Sequence, residues 1–296
     1  MRSYSIKDLE KITGIKAHTI RIWEKRYHVV SPQRTNTNIR YYTDDDLKHL
    51  LNIAILNRYG YKISGIVNMN SDEINKLIID ITVHETDYDS LIESFFIAMV
   101  EYDEMRFEKA LNNAIIKLGF ESAIINVIYP FLSRVGVLWQ TGTVIPGQEH
   151  FVTNLIRQKF ILAVDSIHAG VRNHPKLFII FLPENEYHEL GLLFTHYLIK
   201  KSGHNAIYLG ANVPLPDVEQ LASLKRPDFL FTIIATSLPV EELNTFVSII
   251  SGFLPKGKVL LASVPSITEQ IEVVPDNVIL MKSIPQFTTF LESLAS

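Results

Sequence analysis

The chain has 296 residues, 28 Lys/Arg against 32 Asp/Glu, 47% hydrophobic content and no cysteine. That is enough for two or three domains of soluble globular composition, and it excludes disulfides and thiolate metal sites, in keeping with a reducing cytoplasm. No apolar run approaches the ~20 residues of a membrane span, and Arg2, Lys7, Asp8, Glu10 and Lys11 interrupt any signal-peptide core. Residues 1–62 hold 12 Lys/Arg and six Asp/Glu, leaving 16 and 26 for the rest. A basic head on an acidic body implies that only the head meets a polyanion.

In residues 1–83, Ser5 is placed to cap a first helix over Lys7–Thr13. Gly14 permits a tight turn, and a second helix is predicted from Ala17 to Tyr27. Two short helices joined by a glycine turn form a DNA-reading unit whose second helix enters the major groove. Ile20 and Trp23, three apart, form its inward stripe, with Trp23 as a buried anchor. Lys16, His18, Thr19, Arg21 and Lys25 are available to face outward. After Ser31-Pro32, the run from Arg34 to Arg40, Tyr41 and Tyr42 reads as a polar hairpin wing with basic and aromatic ends, suited to phosphates and the minor groove. Thr43 with Asp44, Asp45 and Asp46 caps a third helix.

The motifs T-G-I, T-I-R-x-W-E-x-R-Y and R-x-Y-Y closely resemble the MerR family of transcriptional regulators. The resemblance covers about the first 75 residues. It implies a winged helix-turn-helix that binds a double-stranded operator, with Lys16, His18, Thr19, Arg21, Arg34, Arg40 and Tyr41 at the DNA. Ordinary members dimerise through a long coiled coil directly after this domain. Here 71–83 offer one short helix, followed by the acidic stretch His84–Asp87, which reads as a linker. Assembly as a homodimer or homotetramer then falls to the body.

Residues 88–174 carry four helical patterns, near 88–101, 103–118, 120–138 and 147–168, punctuated by Gly119 and Pro146-Gly147. Short connections predict an up-down four-helix bundle. Its inward faces are marked by Leu91, Phe95, Ala98 and Met99, and by Phe107, Ala110, Leu111 and Ala114.

Residues 175–296 alternate strand-like and helical patterns, with strands expected at 177–182, 205–209, 228–235, 258–263 and 276–281. This alternation predicts a doubly wound parallel sheet, Rossmann-like in class. The run Glu186-Tyr-His188-Glu-Leu-Gly191 stands at the first strand-to-helix join, where such sheets bind ligands. No glycine-rich dinucleotide fingerprint, P-loop or nucleophile elbow occurs. The residue four after His188 is Leu192, so a zinc-protease pair is absent. No enzymatic activity is expected.

The E-x-H-x-x-G run resembles the lower-ligand loop of cobalamin-binding domains. Together with Trp139, a nine-residue gap and Glu149-His150, it resembles the cobalamin-dependent photoreceptor repressors of the CarH/LitR type. The resemblance implies that His188 ligates cobalt, with Glu186 and Gly191 in the same loop. Trp139 covers the upper face of the corrin, and Glu149 and His150 line the upper-ligand pocket. Ser237, beside Leu238, hydrogen-bonds the cofactor's tail base. Adenosylcobalamin is the form implied, and light would then shift the oligomeric state. Two positions depart from the pattern. Gln140 follows the tryptophan where a histidine is usual, and Leu261-Ala262-Ser263 replaces paired glycines beside the tail. These motivate a second reading, in which a degenerate body serves dimerisation or binds an antirepressor.

Overall fold

A computed structural model describes residues 4–34, 40–70, 73–74, 77, 88–140, 144–167, 174–236 and 238–294, without the side chains of Arg58 and Gln140. The wing tip, the linker at 84–87 and Ser237 lie outside the described residues. The chain divides into two compact units, Met1–Ile156 and Arg157–Ser296.

The first unit begins with α1 (Ile6–Thr13), closed at its start by a capping box between Ser5 and Asp8 and at its end by Gly14 at φ +72°. Each capping oxygen satisfies a backbone donor that the helix itself leaves unbonded. Next come α2 (Ala17–Tyr27) and a two-stranded ribbon, β1 (Gln33–Arg34) antiparallel to β2 (Arg40–Tyr41). Then follows α3 (Asp44–Arg58), with a Thr43–Asp46 capping box and three acids in its first turn. Ile20 is fully buried and Ile22 is 53% exposed. Trp23 departs from expectation: it is only half-buried. Its helix is short, and the apolar stripe it shares with Ile20 is too narrow to enclose an indole.

Helices Tyr88–Glu101, Glu104–Leu118, Phe120–Gln140 and the start of Pro146–Ser166 follow. Their shared core holds Phe95, Phe96, Phe107 and Phe131 with ring centroids 4.8–5.9 Å apart. The third of these helices contains a wide π-turn at Ile124–Ile128, which the apolar spacing did not signal. By length and composition Phe120–Trp139 resembles a membrane span, at mean hydropathy 1.4. Yet Ala123, Ile124, Val127, Ile128, Phe131 and Val135 are buried in this unit. The helix is apolar because it supplies the bundle core.

The second unit contains a parallel sheet of order β4-β3-β5-β6-β7: β3 (Leu177–Pro183), β4 (Asn205–Val213), β5 (Phe229–Ile234), β6 (Lys258–Ser263) and β7 (Val278–Met281). Its strands are near-continuous apolar runs because helices cover them. Strand β4 runs four residues beyond the expected 209. The extension follows irregular pairing with β3 and passes Gly210 at φ +82° and Asn212 at φ +57°. Because β3 lies between β4 and β5, the strand order reverses there, and the C-terminal ends of the strands at such a switch point are where open α/β sheets bind ligands.

Candidate functional site

In the first unit, α2 and the ribbon enclose a concave surface of about 560 Å³ lined by Arg21, Glu24, Lys25, His28, Val30, Ser31, Pro32, Arg34 and Arg40. Four cations converge there, Arg21 and Lys25 from α2 and one from each ribbon strand, as a phosphate backbone requires. Arg34 and Arg40 are directly opposite each other in the ribbon. Lys16, ahead of α2, pairs with Glu10 at 3.2 Å. His18 is exposed and Thr19 half-buried. Tyr41 donates its hydroxyl to Gln33 at 2.6 Å, tying the two wing strands together.

Trp139 stands in the last turn of its bundle helix and is 52% exposed. It is therefore not a core residue, unusual for an indole in a helix so apolar. Glu149 lies in the first turn of the next helix. One of its oxygens accepts from the Thr153 hydroxyl at 2.7 Å, and the other meets His150 Nδ1 at 2.6 Å. Glu149 is half-buried and His150 exposed.

In the second unit, β3 ends at Pro183 and the chain turns through Asn185 at φ +66° to Glu186, which is 3% exposed. Glu186 Oε2 accepts from the amides of Ala235 and Thr236, both at 2.8 Å, just past the end of β5. Glu186 Oε1 accepts from the His188 amide at 3.1 Å and meets His188 Nδ1 at 2.5 Å. Burial pushes the Glu186 carboxyl up, but the bonds from the His188 ring and from the amides of Thr236, Ala235 and His188 outweigh it and hold it at about 2. An ionised, buried carboxylate thus grips an imidazole whose side chain is 66% exposed. With Nδ1 committed to the carboxylate, Nε2 is the ring nitrogen this arrangement directs outward for ligation.

His188 is also the cap residue of the helix Glu189–Lys201. A Cβ on Gly191 would stand 3.0 Å from Ile233 Cδ1, so the glycine lets this helix lie close against β5. Leu238 is half-buried against the sheet's core. Ser263 shares a 2.7 Å hydrogen bond with Thr268.

Residues 4–72 match the family model for MerR HTH family regulatory proteins, and residues 91–162 match that of the B12 binding domain. The chain joins a MerR-family helix-turn-helix to a B12-binding domain. It is 28% identical over 262 residues to the HTH-type transcriptional repressor CarH of Myxococcus xanthus, covering 86% of this chain and 87% of that protein. It is 24% identical over 244 residues to CarA of the same organism, covering 80% and 78%. Among solved structures, the monomethylamine corrinoid protein of Methanosarcina barkeri aligns with a TM-score of 0.56 over 70% of this chain and all (100%) of that one. At 13% identity this likeness is one of fold.

The MerR-type head owes its cleft largely to residues named from the sequence, with the addition of Glu24, His28 and Val30. In the α/β unit following the B12-binding match, the donor set fits a cobalt centre: a neutral-capable imidazole, oriented by a buried carboxylate, at the carboxyl edge of the sheet. Sequence reading missed the polar cluster next to it. Glu189, directly after His188, accepts from Tyr208 at 2.6 Å and from Arg157 at 2.7 Å. Burial raises the Glu189 carboxyl, and Arg157 and Tyr208 more than reverse that, keeping it below its ordinary value. Nothing in the spacing of residues 157, 189 and 208 signals their meeting.

Proposed function

We propose that this protein is a transcriptional repressor whose operator binding is controlled by cobalamin. The reading is carried above all by the Glu186–His188 pair at the carboxyl edge of the sheet, and the likeness to CarH and CarA supports it. In this reading His188 would ligate cobalt through Nε2, with Glu186 fixing the ring's tautomer and direction. Trp139 would cover the corrin, and Glu149 and His150 would line the cofactor's pocket. Gly191, Ser237 and Leu238 accommodate the rest of the cofactor. When bound, adenosylcobalamin supplies a cobalt centre with a light-labile cobalt–carbon bond. The chain's own part is to convert that occupancy into a choice of homo-oligomer, dimer or tetramer. An assembly favoured by the ligand changes DNA affinity by the ligand's differential affinity for the two assemblies. The domains are read as 1–83 for DNA, 88–174 for the cap and 175–296 for the cofactor's lower face.

Reconstitution with adenosylcobalamin in darkness should give a coloured protein after gel filtration, and illumination should move its elution position. A colourless protein that still binds DNA would overturn the cobalamin reading and favour a body that serves dimerisation or an antirepressor.

At the head, Lys16, His18, Thr19, Arg21, Arg34, Arg40 and Tyr41 face the duplex. Arg40→Ala should weaken duplex binding at fixed salt and lower the slope of log K against log salt by about 0.9, the value of one phosphate contact. An unchanged slope would remove Arg40 from the phosphate contacts.

A further inference from the structure

Glu24 is an acid in a cleft whose lining includes four cations. It lies on α2 among Arg21, Lys25, Arg34 and Arg40, and its side chain is 20% exposed. One oxygen lies 3.5 Å from Arg40 Nε, at the start of β2. The other accepts from the Tyr42 hydroxyl at 3.4 Å. Tyr42 is fully buried and bridges to Tyr4 through reciprocal backbone bonds of 2.8 and 2.9 Å. A single carboxylate of the recognition helix thus reaches both the outward arginine of the wing and its buried root.

The wing needs such a contact for a specific reason. Among the described residues of its ribbon, Arg34 sits directly opposite Arg40. Like charges directly across an antiparallel pair repel. A guanidinium left loose on it would find any phosphate of any duplex. Phosphate contacts carry no sequence information themselves, but held in a fixed place they set the register at which the recognition helix meets the bases.

We propose that Glu24 is a specificity-determining positioning residue. It holds Arg40 in one place relative to α2, so that wing and recognition helix engage DNA in a single register, and its negative charge weakens binding to sequences that do not fit. The inference rests on DNA binding by the head and is independent of cobalamin.

The test uses the full-length chain and two duplexes of equal length: one that the protein itself selects from a random pool, and a scrambled version of it. Glu24→Gln keeps the size and an acceptor for Tyr42 but removes the charge that holds Arg40. Scrambled-duplex binding should become tighter or stay level, and the selected-to-scrambled affinity ratio should fall at least about fivefold, as expected when a register-setting contact is released. In the Arg40→Ala background, the same Glu24→Gln step should change that ratio by less than about twofold, because the two residues act as one unit. An unchanged ratio in Glu24→Gln overturns the proposal. So does parallel weakening on both duplexes with a lowered Tm, the mark of a merely structural role, and so does a full additional loss on top of Arg40→Ala. A wild-type chain that binds neither duplex would instead remove the DNA reading itself, and this proposal with it.

Discussion

His188→Ala is expected to abolish stable retention of cobalamin while leaving the fold intact. The side chain is 66% exposed and makes no capping bond to the helix it begins, and the buried partner that its removal deprives of a bond is Glu186. Glu186 keeps its bonds to the amides of Ala235, Thr236 and residue 188. In the proposed function the lost imidazole, by contrast, is the cobalt ligand itself. Disturbing only the outer partners of a metal ligand costs about 10–100-fold in affinity, so deleting the ligand should cost more than about 100-fold. Equilibrium dialysis of wild type and variant with cobalamin measures the loss, and the visible spectrum reports whether nitrogen ligation has gone. Equal retention with the same spectrum in both proteins would end the lower-ligand assignment. A wild-type chain that takes up no cobalamin would instead end the cobalamin reading as a whole.

Glu186→Ala should harm both stability and the site. Three backbone amides lose their acceptor at once, and an unpartnered buried donor costs about 1–3 kcal/mol. Water will repair part of this, since Thr236 is exposed. A Tm lower by at least about 4 °C is expected, together with a cobalamin affinity reduced by about 10–100-fold through the unanchored His188 ring. The same carboxylate predicts an acid limit. Its folded value of about 2 lies below its ordinary 4.5, so its stabilisation is complete above about 4.5 and is lost as pH falls through about 2. Acid melts of wild type and Glu186→Ala should therefore converge toward pH 2. A constant gap in Tm from pH 6 to pH 2 would contradict the assignment of charge to Glu186.

Much of this architecture was readable in advance because its causes are local. Ser5 with Asp8 and Thr43 with Asp46 announce helix starts through side chains that bond backbone three residues away. The apolar runs of β3, β5 and β6 can only be buried strands. The E-x-H spacing puts Glu186 and His188 within reach of each other, since they stand two residues apart. What stayed hidden depends on contacts far apart in the chain. The amides that grip Glu186 belong to residues 49 and 50 positions later. A glycine at 191 can make room for a ligand or for the sheet, and the neighbour it meets is Ile233 of the sheet. Arg157, Glu189 and Tyr208 converge from three elements with no shared motif. Trp23 misled because spacing reveals which way a side chain leans but not whether the neighbours suffice to cover it.

The wide turn at Ile124–Ile128 links two things that would otherwise vary separately. Each residue of an α-helix advances about 100° around the axis and about 1.5 Å along it. Were the same residues of that turn wound as ordinary α-helix, everything downstream would swing by about that angle. Phe131, Val135 and Leu138, now buried, would leave the interior as Trp139 changed heading. The compass bearing of the exposed indole is thereby locked to the seating of three apolar neighbours, and rewinding the wide turn without changing its length would disturb both together.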